Sequence, residues 1–338
     1  MQYILTNSVM LNRFTEKEVS LIIQYILALI IPFLIVYFII PQLMKLSNRL
    51  EFTDKPTERK KHREPIPLCG GIGIFIGFFI MYFILGDNNN KSEQIWIFIA
   101  SAMVLIIGLI DDFFKTRGKE FPIYPRFIVQ IIAAIIVFNA GIVFRGFTNP
   151  FSGEYILLPV SIQFLLTITW IFGVTTVINW TDGMDGLAGG ISIVSALTFF
   201  FVAIILKQVD SSVTSLILAS AIFGFLMYNK YPAKIFMGDS GANFIGFILS
   251  IIAIDGAFKQ TTVMSIFIPV LALAVPIFDN LFVIFKRFSE GKPVYQADRS
   301  QMHFRLEEKG LTPKQIVNYI VGISLAFSAL SIVLLLIR

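Results

Sequence analysis

The sequence predicts an all-α polytopic membrane protein of about ten transmembrane helices, with its chemistry carried by cytoplasmic loops. Three observations carry that expectation. Apolar residues make up 56% of the 338 and charged residues only 14%, beyond what a water-soluble core uses. Apolar windows of about 20 residues, long enough to cross about 30 Å of hydrocarbon, recur from end to end. Lys and Arg gather in alternate connecting segments, as they do in loops retained in the cytoplasm.

The first span is read at 20–44. Residues 1–19 are polar and mixed in charge, and the apolar run is too long for the core of a signal peptide, so it is expected to stay as a span. A basic segment follows at 45–68, with Lys45, Arg49, Lys55, Arg59, Lys60, Lys61 and Arg63. Spans two and three, 69–86 and 94–110, are joined by a sparse loop holding Lys91. Segment 111–126 is basic again, through Lys115, Arg117, Lys119 and Arg126, and leads into span four at 124–144. The loop 145–159 holds Arg145 and sets Asn149, Pro150 and Gly153 between short β-prone runs, the pattern of a small hairpin. Spans five and six, 160–178 and 187–206, flank an acidic, glycine-rich loop. Lys207 precedes span seven at 213–229, Lys230 and Lys234 precede span eight at 240–256, and Lys259 precedes span nine at 262–285. Lys286, Arg287, Lys292, Arg299, Arg305, Lys309 and Lys314 then precede span ten at 315–337.

This alternation puts both termini outside the cytoplasm. The net charge of +5 is mostly a topology signal that needs no nucleic-acid partner, while a basic inner face attracts anionic lipid heads and phosphates. The lone Cys69 rules out an internal disulfide and leaves oxygen or histidine to hold any metal. No long linker, low-complexity tract or repeat divides the chain, so 1–338 reads as one integral membrane domain.

The third apolar run stops at two adjacent carboxylates, Asp111 and Asp112. Charged residues commonly mark where a helix meets water. At a helix C-terminus, however, the macrodipole disfavours carboxylates, and two like charges repel by about 1 kcal/mol in water and severalfold more at a half-buried site. A cation such as Mg²⁺ would relieve both costs. Other cytoplasmic mouths repeat the pattern. NWTDGMDGLAGG brings Asn179, Asp182 and Asp185 among glycines, which suits backbone folded closely around a ligand. Capping of the sixth helix would explain one of its aspartates, not both. In FMGDSG, Asp239 or Ser240 could serve as an N-cap, with Lys230 and Lys234 nearby to neutralise phosphate. Asp279 lies inside the ninth run, where an ionisable group is a functional candidate, whereas Asp255 reads as an outer boundary residue. Both histidines, His62 and His303, sit in cytoplasmic loops among Arg and Lys, a setting for polyanions. Five cytoplasmic segments thus bring Asp, Asn, His, Arg and Lys to one face of a membrane bundle. The chemistry that needs such a set is phosphoryl transfer with hard metal ions, joining a water-soluble nucleotide to a lipid phosphate.

The motifs ERKKHREPIPLCGG (58–71), GLIDDFF (108–114), NWTDGMDGLAGG (179–190), FMGDSG (236–241), PIFDN (276–280) and the loop 298–306 occur in this order over nearly the whole chain. By them the chain resembles the polyprenyl-phosphate N-acetylhexosamine-1-phosphate transferases, the undecaprenyl-phosphate GlcNAc-1-phosphate branch most closely. The resemblance implies a UDP-sugar donor, undecaprenyl phosphate as acceptor, release of UMP, Mg²⁺ (or Mn²⁺) as cofactor, and a site on the cytoplasmic face of a bacterial inner membrane. Surrounding membrane lipid and a homodimer are further partners it suggests. It assigns Asp111 and Asp112 to catalysis and metal, with Asp111 orienting the lipid phosphate, and Asp239 to metal binding. Asn179, Asp182 and Asp185 would line the nucleotide side, with Asn229 and Phe236 at the base and Phe236 stacked on uracil. Arg59, Lys60 and His62 would serve the carrier's phosphate or the donor's diphosphate. His303 would be catalytic, and with the nucleotide-sugar-binding Arg299 and Arg305 it would meet the diphosphate.

The chain departs from the pattern in its last loop. Relatives carry His-x-His-His, whereas this chain reads Asp298-Arg299-Ser300-Gln301-Met302-His303-Phe304-Arg305 and keeps only the middle histidine. Leu68-Cys69 replaces an Arg often present, and the Thr-Met spelling of the phospho-MurNAc-pentapeptide transferases is missing, which ranks that activity second. A secondary transporter is the non-enzyme rival, but transporters concentrate ionisable groups near the midplane of two repeats. A CDP-alcohol phosphotransferase would need an Arg after Asp185-Gly186 that this chain lacks.

Overall fold

The computed structural model describes residues 2–56, 64–86, 90–149, 152, 154–256, 263–293 and 299–337. They form twelve helices and two short antiparallel ribbons: α1 (Gln2–Arg49), β1 (Thr53–Asp54), β2 (Ile66–Pro67), α2 (Gly70–Leu85), α3 (Lys91–Thr116), α4 (Ile123–Asn139), β3 (Gly146–Thr148), β4 (Tyr155–Leu157), α5 (Val160–Thr181), α6 (Leu187–Ile205), α7 (Val209–Asn229), α8 (Gly238–Asp255), α9 (Val263–Ala272), α10 (Ala274–Ser289), α11 (Met302–Glu308) and α12 (Pro313–Leu336). Seven of the helices are long and apolar enough to cross a bilayer, and α2 and α4 are shorter apolar helices. The chain is therefore a multi-pass, all-α membrane protein. The hairpin expected at 145–159 forms as β3 paired with β4, Gly146 opposite Leu157 and Thr148 opposite Tyr155.

Helix α8 is the axis of the bundle. It packs against α2, α3, α5, α6 and α7, and every residue from Ser240 to Ile254 is buried. Helix α1 instead turns Ile22, Ile26, Leu29, Leu34 and Phe38 outward, as lipid contact allows. Lipid tails are as apolar as leucine, so packing and interhelical hydrogen bonds, about 0.6 kcal/mol each, hold such helices together. Examples are Tyr25 with Ser212 at 2.9 Å and Trp170 Nε1 donating to the Ser250 carbonyl at 3.2 Å. Small residues set the closest approaches. A methyl group on Gly108 of α3 would lie 2.4 Å from the Ser240 Cα, and one on Gly71 of α2 would lie 2.4 Å from the Gly241 nitrogen. Both crossings lie at the N-terminus of α8, so three backbones converge where Asp239 begins its helix.

Two expectations change. Helix α3 does not stop at Asp111 but continues to Thr116, which places both carboxylates on its last turns. The ninth span, read as one helix over 262–285, is broken at Leu273 into α9 and α10. Pro276 has no N–H to offer the carbonyl four residues before it. Ser195 of α6 supplies the missing donor, its hydroxyl reaching the Ala272 oxygen at 2.6 Å, as buried backbone in a membrane requires.

Candidate active site

Asp111 and Asp112 are neighbours in sequence, and on a helix successive side chains diverge by about 100°. They serve different surfaces. Asp111 is almost fully buried and faces two cations: Arg126, at the start of α4, donates from Nη1 to its Oδ2 at 2.6 Å, and Lys115, one turn further along α3, lies 3.2 Å from the same oxygen. Both cations also hold Asp239 of α8, Lys115 Nζ donating to its Oδ2 at 2.7 Å and Arg126 Nη1 at 3.2 Å. Two carboxylates and two cations from three helices thus form one closed cluster. At an effective dielectric of about 20, a pair of unit charges at about 4 Å is worth about 4 kcal/mol, so the cations offset the repulsion that the paired carboxylates would otherwise suffer.

Asp112 faces α8 instead. Its Oδ1 accepts from the Asp239 backbone N–H at 2.9 Å and its Oδ2 from that of Ser240 at 3.1 Å. Neither Asp239 nor Ser240 is the N-cap, which is Met237 and makes no side-chain cap of its own; a carboxylate from another helix satisfies these orphan donors and meets the positive end of the α8 dipole. Gly238 makes room for it. Its φ of +68° lies in the left-handed region, and a Cβ there would fall 2.4 Å from Asp112 Oδ2.

A second group frames the rim. Asp185 accepts from the Ala233 N–H at 2.9 Å. Asn229 accepts from the Gly186 N–H at 3.0 Å and donates to the Ile235 carbonyl at 2.8 Å, so it fastens the loop before α6 to the loop before α8. Phe236, half-buried, follows directly and is anchored by its own N–H to the Pro67 carbonyl at 2.9 Å. Asp182, directly after α5 in the loop before α6, is half-buried, and desolvation, with Asp239 adding to it, pushes its carboxyl up to about 7. Asn179 lines a cavity of about 50 Å³ together with Arg126, Gln130 and Asn243, and its Nδ2 is buried without a hydrogen-bond partner.

His303, in α11, is 2% exposed and presses on this loop: a Cβ on Gly183 would lie 2.3 Å from its Nε2. That nitrogen has no hydrogen-bond partner, and burial pulls the imidazole down to about 4, so it is neutral near pH 7. Three contacts hold its segment. Gln301 Nε2 donates to the Trp180 carbonyl at 2.8 Å, Asp279 accepts the Met302 N–H at 2.9 Å, and Arg305 donates to Asp279 at 2.8 Å. Asp279 of the ninth run therefore docks α11. Arg299 donates to Glu307 at 2.8 Å and lies over the Phe304 ring, so both loop arginines are engaged within their own neighbourhood. Arg59, Lys60 and His62 lie outside the described residues.

Sequence reading missed Lys115 and Arg126, which it counted only toward topology. The signal available was the four-residue spacing from Asp111 to Lys115, which puts opposite charges on one helix face. Among the described residues no group of three or more His, Cys, Asp or Glu side chains gathers to hold a metal. Mg²⁺ needs only one or two carboxylates, with water and phosphate oxygens completing its shell. Asp239, partly exposed at 20%, fits that requirement; Asp112 is 1% exposed with both oxygens held by the α8 amides, and each oxygen keeps one further lone pair.

The sequence profile of glycosyl transferase family 4 matches residues 94–257. The chain is 34% identical over 310 residues to the probable undecaprenyl-phosphate N-acetylglucosaminyl 1-phosphate transferase of Bacillus subtilis, covering 91% of this chain and 85% of that protein. It is 30% identical over 328 residues to the decaprenyl-phosphate N-acetylglucosaminephosphotransferase of Mycobacterium tuberculosis, covering 88% and 80%. With the undecaprenyl-phosphate alpha-N-acetylglucosaminyl 1-phosphate transferase of Escherichia coli it shares 26% over 278 residues, 80% and 73% of the two chains.

Proposed function

The chain belongs to glycosyl transferase family 4, and from that premise we propose that it transfers N-acetylglucosamine 1-phosphate from UDP-GlcNAc to undecaprenyl phosphate at the cytoplasmic face of a bacterial membrane, opening an envelope polysaccharide. The observation that supports this reading best is the Asp111–Asp239 cluster with Lys115 and Arg126 at one end of the bundle.

In the reaction, an oxygen of the carrier's phosphate attacks the phosphorus that bears the sugar. The bond from that phosphorus to the bridging oxygen breaks, UMP leaves, and a lipid diphosphosugar remains. The acceptor phosphate is ionised near neutral pH, so orientation and charge neutralisation matter more than a strong base. Lys115 is half-exposed and Arg126 stands beside it, which lets them receive phosphate oxygens in exchange for carboxylates. Asp111 orients the acceptor. Mg²⁺, when bound through Asp239 and Asp112, supplies further neutralisation of the donor diphosphate. Phe236 offers a ring to the uracil, and Asn229 and Asp185 keep its loop in place. His303, neutral and with a free nitrogen, offers a hydrogen bond at the diphosphate.

A donor panel tests the reading: the purified chain in detergent with undecaprenyl phosphate and Mg²⁺, scored for UMP release with each UDP-N-acetylhexosamine. UMP is expected with UDP-GlcNAc. No release from any UDP-sugar, with the acceptor supplied, would refute it.

A further inference from the structure

Below the carboxylate cluster, α4 and α8 meet a second time. Arg126 and Gln130 are four residues apart on α4, and Asp239 and Asn243 are four apart on α8, so each pair shares a helix face. The first rung is Arg126 to Asp239 at 3.2 Å; the second is Gln130 Nε2 to Asn243 Oδ1, also at 3.2 Å. Gln130 is 5% and Asn243 3% exposed. Asn243 stands in a helix buried from Ser240 to Ile254, where an amide is costly unless it is paired. Apolar side chains of similar size would pack there without that cost, so packing alone does not account for the two amides.

The cavity beside this rung supplies the reason. Its walls include Ile123, Arg126, Gln130, Asn179 and Asn243, and the Arg126 Nε is buried without a partner. The guanidinium therefore has room on one side and no contact that fixes it from that side. Helix α4 packs against α3 and α5 and reaches α8 through these side chains, so the position of Arg126 depends on how α4 is held relative to α8. We propose that Gln130 and Asn243 are positioning residues: their hydrogen bond locks α4 to α8 one turn below the cluster and so holds Arg126 between Asp111 and Asp239. The inference rests on the transfer reaction proposed above.

The test uses the full chain in detergent with UDP-GlcNAc, undecaprenyl phosphate and Mg²⁺. Gln130→Met and Asn243→Leu each remove the bond while keeping volume. Misplacement of a reacting group by about 1 Å costs on the order of a hundredfold, so kcat is expected to fall about 10- to 100-fold while the KM for the donor moves by less than about threefold. Because the pair acts through Arg126, Gln130→Met combined with Arg126→Lys should be hardly slower than Arg126→Lys alone. The exchange Gln130→Asn with Asn243→Gln, which restores the combined reach, should recover most of the rate. Should either apolar variant fail to fold, Gln130→Asn alone shortens the rung with a polar group retained and is expected to show the same loss of kcat. Unchanged kcat in folded variants, or losses that multiply fully with Arg126→Lys, would overturn the proposal. A wild-type chain that released no UMP from any UDP-sugar would instead overturn the transfer reading itself.

Discussion

Gly183→Ala is the sharpest probe of whether His303 belongs to the working site. The backbone at Gly183 is not in the left-handed region and its surface is exposed, so a methyl group adds neither conformational strain nor burial. What it meets is the imidazole, 2.3 Å from Nε2 and 2.6 Å from Cε1, against an ordinary contact distance of 3.4 Å or more. The ring must retreat by about 1 Å. Its room to rotate is small, because the ring is 2% exposed and lies 4.2 Å from the Phe304 ring, and the helix behind it is tied through Gln301 to Trp180 and through Met302 and Arg305 to Asp279. Overpacking of this kind costs about 1–3 kcal/mol of stability, while a displacement of about 1 Å at a reacting group costs about a hundredfold in rate. UMP release by Gly183→Ala is therefore expected to fall about a hundredfold while the chain stays folded. The double variant with His303→Ala should be no slower than His303→Ala alone, since the clash is gone. Retention of more than half the wild-type rate by Gly183→Ala would refute the reasoning, because it would mean that the imidazole's place is immaterial to turnover.

Asp239→Asn and Asp111→Asn each leave Lys115 and Arg126 with one carboxylate to share, and UMP release is expected to drop by about 10²–10³-fold in either, as with the loss of one preorganised charge contact. Asp112→Asn should act first on folding: charged hydrogen bonds to the α8 amides are worth about 1.5–3 kcal/mol, so a lowered melting temperature in detergent is expected, and an unaltered one would contradict its capping role. His303 titrates below its ordinary 6.5, at about 4. A depressed pKa of this sign gives stability that is present above about pH 6.5 and is lost as pH falls through about 4, so His303→Gln should flatten the stability profile across that window while leaving it unchanged above pH 7.

Much of this architecture is legible in the amino-acid order, and the parts that are not have physical causes. Apolar run length finds the helices because crossing hydrocarbon is a matter of length. It is blind to the break at Leu273, since Pro276 is tolerated in a helix's first turn and the compensating donor, Ser195, is remote in sequence. The acidic motifs stand out because carboxylates at the edge of apolar runs are costly. That Asp111 and Asp112 take opposite assignments is set by helix geometry against neighbours the sequence does not name. Lys115 and Arg126 were hidden in plain view, since a charge that sets topology and a charge that neutralises a carboxylate are the same residue type. Gln130 and Asn243 are harder still, each a lone amide in a greasy run, meaningful only once α4 and α8 are side by side.

Because α8 is enclosed along its length and gripped at its tip by Asp112, it cannot tilt or slide without dragging its neighbours along. Asp239 rides on that helix and is in effect bolted to the frame. Any shift as substrates arrive and products depart is therefore expected at the periphery, where the run is broken at Leu273 between α9 and α10 and α11 is held by side-chain contacts to Trp180 and Asp279.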